Sequence, residues 1–386
     1  MKTTSLSLQK NNPPVKYFIG VLSGTSMDSI NAVLIDFTKK HNFIIATSKY
    51  PLKKTLVEQL LTIIRSQQCS LEKLGTIDHL IGRLFAKAIN KLLKKVSIDP
   101  KKIAAIGSHG QTIWHAPFNK YPFTMQIGDP NIICAHTKIV TIADFRRKDL
   151  AYGGQGAPLA PLFHEAVFRS ELKNRAIINL GGIANITILP KNHKKPIFGF
   201  DIGPGNCLMD EWVQLKFPLL NLKYDKNGKL ASQGTCVKRL LACCLHDDYF
   251  TKPYPKSTGR EYFNLSWLQK KIALSHCLKY DNKDILATLL DLTINIISTE
   301  LQKIKYIDEV YICGGGANNL TLLKQLKSQL TCSVSTTTTL GIHQEWVEAA
   351  LFAWLAKQTL QKKPVNLSSI TGAKSKAILG GVYFPP

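Results

Sequence analysis

The sequence predicts an α/β protein with one layout used twice, and three observations carry that prediction. Runs rich in β-formers alternate with runs of helical periodicity. Most of the β-rich runs end in glycine, at the position where open α/β sheets hold ligands. Residues 17–37, "YFIGVLSGTSMDSINAVLIDF", and 175–190, "RAIINLGGIANITILP", also share one pattern: apolar run, small-residue turn, apolar run. Such an echo points to a duplicated domain. The 386 residues fit two domains, or one large unit with a cleft, and 45% hydrophobic content supplies a packed core.

In chain order, residues 1–16 read as a polar tail with a double proline, without the apolar middle of a signal peptide. A first α/β domain is expected over 17–170. It opens with the 17–37 hairpin and continues with a helix over 71–96, whose apolar stripe is Leu74, Ile77, Leu80, Ile81, Leu84, Phe85, Ala88, Ile89 and Leu92. Strands follow at 102–110 and 138–145. A second domain is expected over 171–386, beginning with the 175–190 hairpin. It adds strands at 197–205 and 309–316 and helices over 284–305 and 345–361, the last able to pack back across the boundary.

Composition excludes several functions. No apolar run approaches the ~18–20 residues of a membrane span, so no membrane role is expected and the cytoplasm is the expected location. Fifty Lys and Arg against 26 Asp and Glu leave +24. These lysines are dispersed, without the interleaved aromatics of a base-stacking surface, so no nucleic-acid partner is expected. Nine cysteines form no CxxC pair and read as free thiols. GxxxxGK[ST], a strand-following GxGxxG, HExxH and GxSxG are all absent.

Phosphate binding would therefore use other glycine turns. Ser23, Gly24, Thr25, Ser26 and Asp28 crowd the first hairpin tip; Gly181, Gly182 and Asn185 sit at the second. Facing tips could offer backbone N–H groups as an anion nest. Gly314, Gly315 and Gly316 would let the backbone approach a flat ligand. Asp201, before Gly203, Pro204, Gly205 and Asn206, suits a general base or, alternatively, a helix cap. His109, Gln111 and Thr112 suit a sugar or phosphate, although His109 could equally be a satisfied structural histidine. Asp144, Arg146, Arg147 and Asp149 suit an anion clamp or a structural ion-pair network.

The ordered set "SGTSMDS", "GSHGQTIWH", "QIGDP", "ADFRRKDLAYGGQGAPL", "NLGGIANIT", "GFDIGPGNCLMDEW", "KSTGREYFN", "CGGGANN" and "EAALFAWLA" closely resembles the anhydro-N-acetylmuramic acid kinases. The resemblance implies an actin/hexokinase-like kinase fold, two related α/β domains around an ATP cleft. It also implies ATP and Mg²⁺, with 1,6-anhydro-N-acetylmuramic acid as substrate in peptidoglycan recycling. Water would open the anhydro bridge at C1 while O6 receives the γ-phosphoryl group. Asp201 falls on the family's base. ATP would meet Gly24, Thr25, Ser26, Met27, Asp28, Ser29, Ile30, Asn31, Gly181, Gly182, Asn185, Gly203 and Gly314 to Gly316, with Asp28 also at the metal. Gln111, Asp144, Arg146 and Glu348 fall on the sugar side, and a homodimer is implied. Ser29 and Asn31 replace the family's usual glycine and aspartate; Lys148 and Asp129 stand where arginine and asparagine are common. A same-fold kinase for another sugar and a non-catalytic sugar or nucleotide sensor are the alternatives.

Overall fold

A computed structural model of the chain describes residues 17–386 apart from 25–26, 40–42, 255 and 277–278. The expected tail lies outside the described residues. Strands β1 (Tyr17–Ser23), β2 (Ser29–Asp36), β3 (Ile44–Pro51) and β4 (Ile103–Ser108) come first. A ribbon, β5 (Gln111–Ala116) and β6 (Phe123–Ile127), and the short β7 (Thr141–Ala143) follow. Next come β8 (Arg175–Leu180), β9 (Ile183–Leu189), β10 (Phe198–Pro204), β11 (Glu309–Cys313) and β12 (Ser333–Thr336). The last strand is β13 (Gly381–Tyr383).

Two sheets share one plan. The first runs β13-β7-β4-β1-β2-β3, the second β10-β9-β8-β11-β12. In each, the opening hairpin and its third strand are antiparallel, and a parallel strand (β4 or β11) joins the hairpin's other side. The two hairpins recognised in the sequence therefore hold equivalent places. Two related α/β halves, as the resemblance implies, are present.

Period-two alternation explains how the first sheet is covered on both faces. Ile19 and Val21 of β1 join a core built with the Leu71–Val96 helix. Phe18 and Leu22, pointing the other way, join a core built with the Val347–Leu360 helix. In the Leu71–Val96 helix the predicted stripe is buried at Ile77, Ile81, Phe85, Ala88, Ile89 and Leu92, while Leu80, at the edge of the arc, is exposed. The Asn282–Lys303 helix fills the equivalent role for the second sheet, burying Leu286, Leu290 and Ile297. The 138–145 strand shrinks to Thr141–Ala143, because Lys138 adopts a left-handed conformation that closes the Pro130–Thr137 helix.

The chain's last segment returns to the first sheet. The Val347–Leu360 helix lies across β1 and β4, and β13 pairs antiparallel with β7. Gly20 and Gly107 are register partners beneath that helix. A Cβ would stand 1.8 Å from Ala349 O at Gly20 and 1.9 Å from Phe352 O at Gly107. Backbone cannot yield as a side chain can, so Gly107→Ala is expected to cost at least the ~1–3 kcal/mol of ordinary overpacking. Thermal or denaturant unfolding measures it.

Among the described residues no helix is long and apolar enough to cross a membrane. Cys69, Cys134, Cys207, Cys236, Cys243, Cys313 and Cys332 are free thiols, and among the described residues no group of three or more His, Cys, Asp or Glu could hold a metal ion.

Candidate active site

Asp201 lies within β10 rather than at its end. The strand continues to Pro204 through a bulge between Asp201 and Gly203, and bulges re-aim side chains. Its backbone N–H donates to Lys256 O at 3.0 Å, and the Tyr249 hydroxyl donates to Asp201 O at 2.7 Å. The carboxyl caps no helix; Oδ2 accepts from the Thr258 N–H at 3.1 Å. Burial pushes this carboxyl up to about 7, the Thr258 N–H opposes that rise, and Glu261 adds to it. A carboxyl poised near neutrality suits general-base work.

The second hairpin tip is stitched to the Cys207–Lys216 helix. Gly182 O accepts from the N–H groups of Gly205 and Cys207, and Gly181 O accepts from that of Asn206. Asn185 pairs across the ladder with Asp201. A Cβ on Gly182 would lie 2.8 Å from Arg260 Nε, so this glycine lets a guanidinium reach the tip. That Nε–H is buried and unpartnered. Arg260 in turn holds down the pKa of Asp210, which burial pushes up to about 7 and Asp28 raises further. Asp28 also pairs with Lys223 at 2.8 Å. Asp28 at the first tip and Arg260 beside the second thus both act electrostatically on Asp210.

The rest of the first tip divides by environment. Gly24 faces open space, whereas Met27 and Ile30 are buried in the core and can offer only backbone. Thr25 and Ser26 lie outside the described residues. The substituted pair is self-satisfied, Ser29 Oγ donating to Asn31 Oδ1 at 3.0 Å. Asp129 caps the Pro130–Thr137 helix, accepting from Asn131 N. Of the three consecutive glycines, Gly315 faces open space. Gly314, at φ +82°, has no room for a Cβ against Asn179, and Gly316 has none against Leu180 and Asn206. Gly203 likewise packs under Phe250 and Ile296.

A second polar group gathers around Arg146. Arg146 donates through Nε to His109 Nε2 at 3.0 Å and through Nη1 to Gly156 O at 2.8 Å. His109 Nε2 must accept, so the ring is neutral and its Nδ1–H donates to Gly110 O, in line with a pKa that burial and Arg146 drive well down. Glu348 accepts from Asn179 Nδ2 at 3.1 Å and feels Arg146, while burial raises its pKa. Glu348 nevertheless remains exposed. Deep setting with open access is the mark of a cleft wall. Gln111 Oε1, Ser23 Oγ and Ser108 Oγ are buried without partners where β1, β4 and β5 meet.

The arginine-rich segment resolves into separate jobs. Asp149 shapes the glycine loop, accepting from Gly156 N–H and the Thr371 hydroxyl. Asp144, at φ +61°, pairs with the exposed Arg147. Only Arg146 of the pair joins the Glu348 group. Sequence reasoning missed Arg260, Asp210 and Lys223. The first two lay within quoted motifs, "KSTGREYFN" and "GNCLMDEW", but nothing local marks them as facing the hairpin tips.

The comparisons with known proteins agree with one another. The family model for anhydro-N-acetylmuramic acid kinase matches residues 16–385. The anhydro-N-acetylmuramic acid kinase of Coxiella burnetii (strain Dugway 5J108-111) is 48% identical over 375 residues, 96% of this chain and 98% of that protein. That of Shewanella amazonensis is 47% identical over 367 residues, covering 95% and 98%. Among solved structures, the activator of the 2-hydroxyisocaproyl-CoA dehydratase from Clostridium difficile with bound ADPNP covers 91% of this chain and 98% of its own. It is 12% identical at a TM-score of 0.45, a likeness too weak to argue from. Near-complete coverage in both directions, with every quoted motif inside the matched span, leaves one conclusion: the chain belongs to the anhydro-N-acetylmuramic acid kinase family.

Proposed function

We infer that this protein is an ATP-dependent kinase that opens 1,6-anhydro-N-acetylmuramic acid and phosphorylates it, yielding N-acetylmuramic acid 6-phosphate and ADP in peptidoglycan recycling. In a chain of this family, the observation that carries the reading is Asp201. It is a carboxyl with a pKa of about 7, held by hydrogen bonds on a strand bulge.

Asp201 takes a proton from water as the water oxygen bonds to C1 and the C1–O6 bond breaks. The freed O6 attacks the γ-phosphorus, and the P–O bond to ADP breaks. Arg146 and Glu348, with Gln111 and Asp144, orient the sugar from the other wall. Gly24, Gly182, Gly315, Asn185 and the Arg260 guanidinium bind the nucleotide. Two open glycines and an unpartnered buried donor fit a polyphosphate. Backbone at Met27, Ser29, Ile30, Asn31, Gly181 and Gly203 supports those contacts, while Gly314 and Gly316 bring Gly315 to the surface. Mg²⁺ needs only one or two carboxylates besides phosphate oxygens, so Asp28, once released by Lys223, would hold it. The ion would neutralise charge on the β- and γ-phosphates.

The same reading takes the chain as two domains meeting near residue 170, with the 347–383 segment packed back on the first. It also takes the protein as a cytoplasmic homodimer. Incubation with ATP, Mg²⁺ and the anhydro sugar, followed by mass spectrometry, tests the chemistry. The expected product gains both one water and one phosphoryl group. Phosphorylation with the anhydro ring intact, or hydrolysis alone, would overturn the mechanism.

A further inference from the structure

Behind the base lies an ion pair that no step above uses. Lys256 Nζ bonds Glu300 Oε1 at 2.9 Å, with side chains only 3% and 7% exposed. Glu300 sits on the Asn282–Lys303 helix and also takes Lys303 Nζ at 3.1 Å. Burying such a pair costs desolvation that its attraction seldom repays, so stability is a poor reason to keep it.

Its surroundings suggest a better one. Lys256 O accepts the Asp201 N–H, and two residues on, the Thr258 N–H donates to the Asp201 carboxylate. The Lys256 ammonium lies over the Tyr249 ring at 5.2 Å and the Phe200 ring at 5.8 Å. Phe200 adjoins Asp201 on β10, and the Tyr249 hydroxyl donates to Asp201 O. Burial, Asp201 and Glu300 all raise the Tyr249 pKa, so the phenol keeps the proton it donates. Apart from its ladder pairing with Asn185, the groups that hydrogen-bond Asp201 therefore touch Lys256 or belong to its segment.

We propose that the buried Lys256–Glu300 ion pair positions the general base, clamping the 256–258 backbone and the Tyr249 ring that together hold Asp201 to the core of the second sheet. Lys256 is a positioning residue; it reaches substrate only through Asp201. The groups facing Asp201 are Glu261 and the Tyr249 phenol, with Lys256, Glu300 and Lys303 behind.

The proposal rests on Asp201 being the base, so the test runs Asp201→Asn alongside Lys256→Met, Lys256→Arg and the double variant Lys256→Met/Glu300→Leu. Each is read for kcat, both KM values, Tm and the acid limb of the kcat–pH profile. In Lys256→Met, kcat is expected to fall roughly 10- to 100-fold, the scale of a misplaced reacting group. KM for ATP should stay near that of the unmodified protein. The acid limb should move to higher pH, because the Thr258 N–H no longer holds down the Asp201 pKa. The double variant, without a stranded buried charge, should recover Tm but keep the lowered kcat and the displaced limb. Lys256→Arg, which retains the cation, should restore both.

A normal kcat and acid limb in the single or double variant would overturn the proposal. So would recovery of kcat in step with Tm in the double variant, since the pair would then serve stability alone. Near-normal turnover in Asp201→Asn would instead show that the base lies elsewhere, a distinguishable failure.

Discussion

Asp201→Asn is expected to lower kcat by roughly 100- to 10,000-fold, the range that general-base assistance supplies. Ring opening and phosphoryl transfer should fall together, because O6 becomes a nucleophile only when C1–O6 breaks. ATP affinity, measured by calorimetry, should hardly change, since the hairpin-tip groups proposed to meet the nucleotide are untouched. The sign of the pH dependence follows from the raised pKa. A base works deprotonated, so in the unmodified protein kcat should rise with pH through about 7. In Asp201→Asn the residual rate should lose that limb. A full-size limb retained in the variant would assign the titration to another group.

Arg260→Ala is the second large expectation. The guanidinium reaches the second hairpin tip because Gly182 carries no side chain, and its Nε–H is buried without a partner. A preorganised donor aimed where phosphoryl charge develops is typically worth ~10²–10³ in kcat. Arg260→Ala is expected to fall in that range, with weaker ATP binding as well. Arg260→Lys should recover only part, since an ammonium is a point charge without the planar fork. Loss of Arg260 also removes the group that lowers the Asp210 pKa, so Asp210, already pushed up to about 7, should keep its proton to higher pH than in the unmodified protein. Steady-state kinetics with nucleotide titration checks the first claim; carboxyl-resolved NMR checks the second.

What the sequence revealed and what it hid follow one physical divide. The paired hairpins were legible because strand alternation and turn chemistry are local, and the repeat placed β8 and β9 where β1 and β2 stand. Asp201 was legible by residue type beside glycines, although the bulge that carries it inside a strand was not. The Val347–Leu360 helix reads as buried, with Ala349, Ala350, Phe352, Ala353 and Ala356 all enclosed, but its own residues do not say under which sheet. Arg260 lies far in sequence from Gly182, and Lys256 is 44 residues from Glu300. No periodicity encodes such pairings. The triple glycine misled in part, because Gly314 and Gly316 answer to neighbouring protein atoms and only Gly315 to open space.

The return of the last segment to the first sheet bears on how the molecule is made. A ribosome releases β1 and β4 long before it completes the helix that covers them, and β13 emerges later than that helix. Until then the apolar face bearing Phe18 and Leu22 has no cover, and Gly20 and Gly107 lie open. Domains commonly fold from the N-terminus as the chain emerges, but here the first-made half lacks the cover of one face until the Val347–Leu360 helix has been made. The second sheet, whose strands and main helix are contiguous between 175 and 336, can form first and serve as the platform on which the earlier half closes.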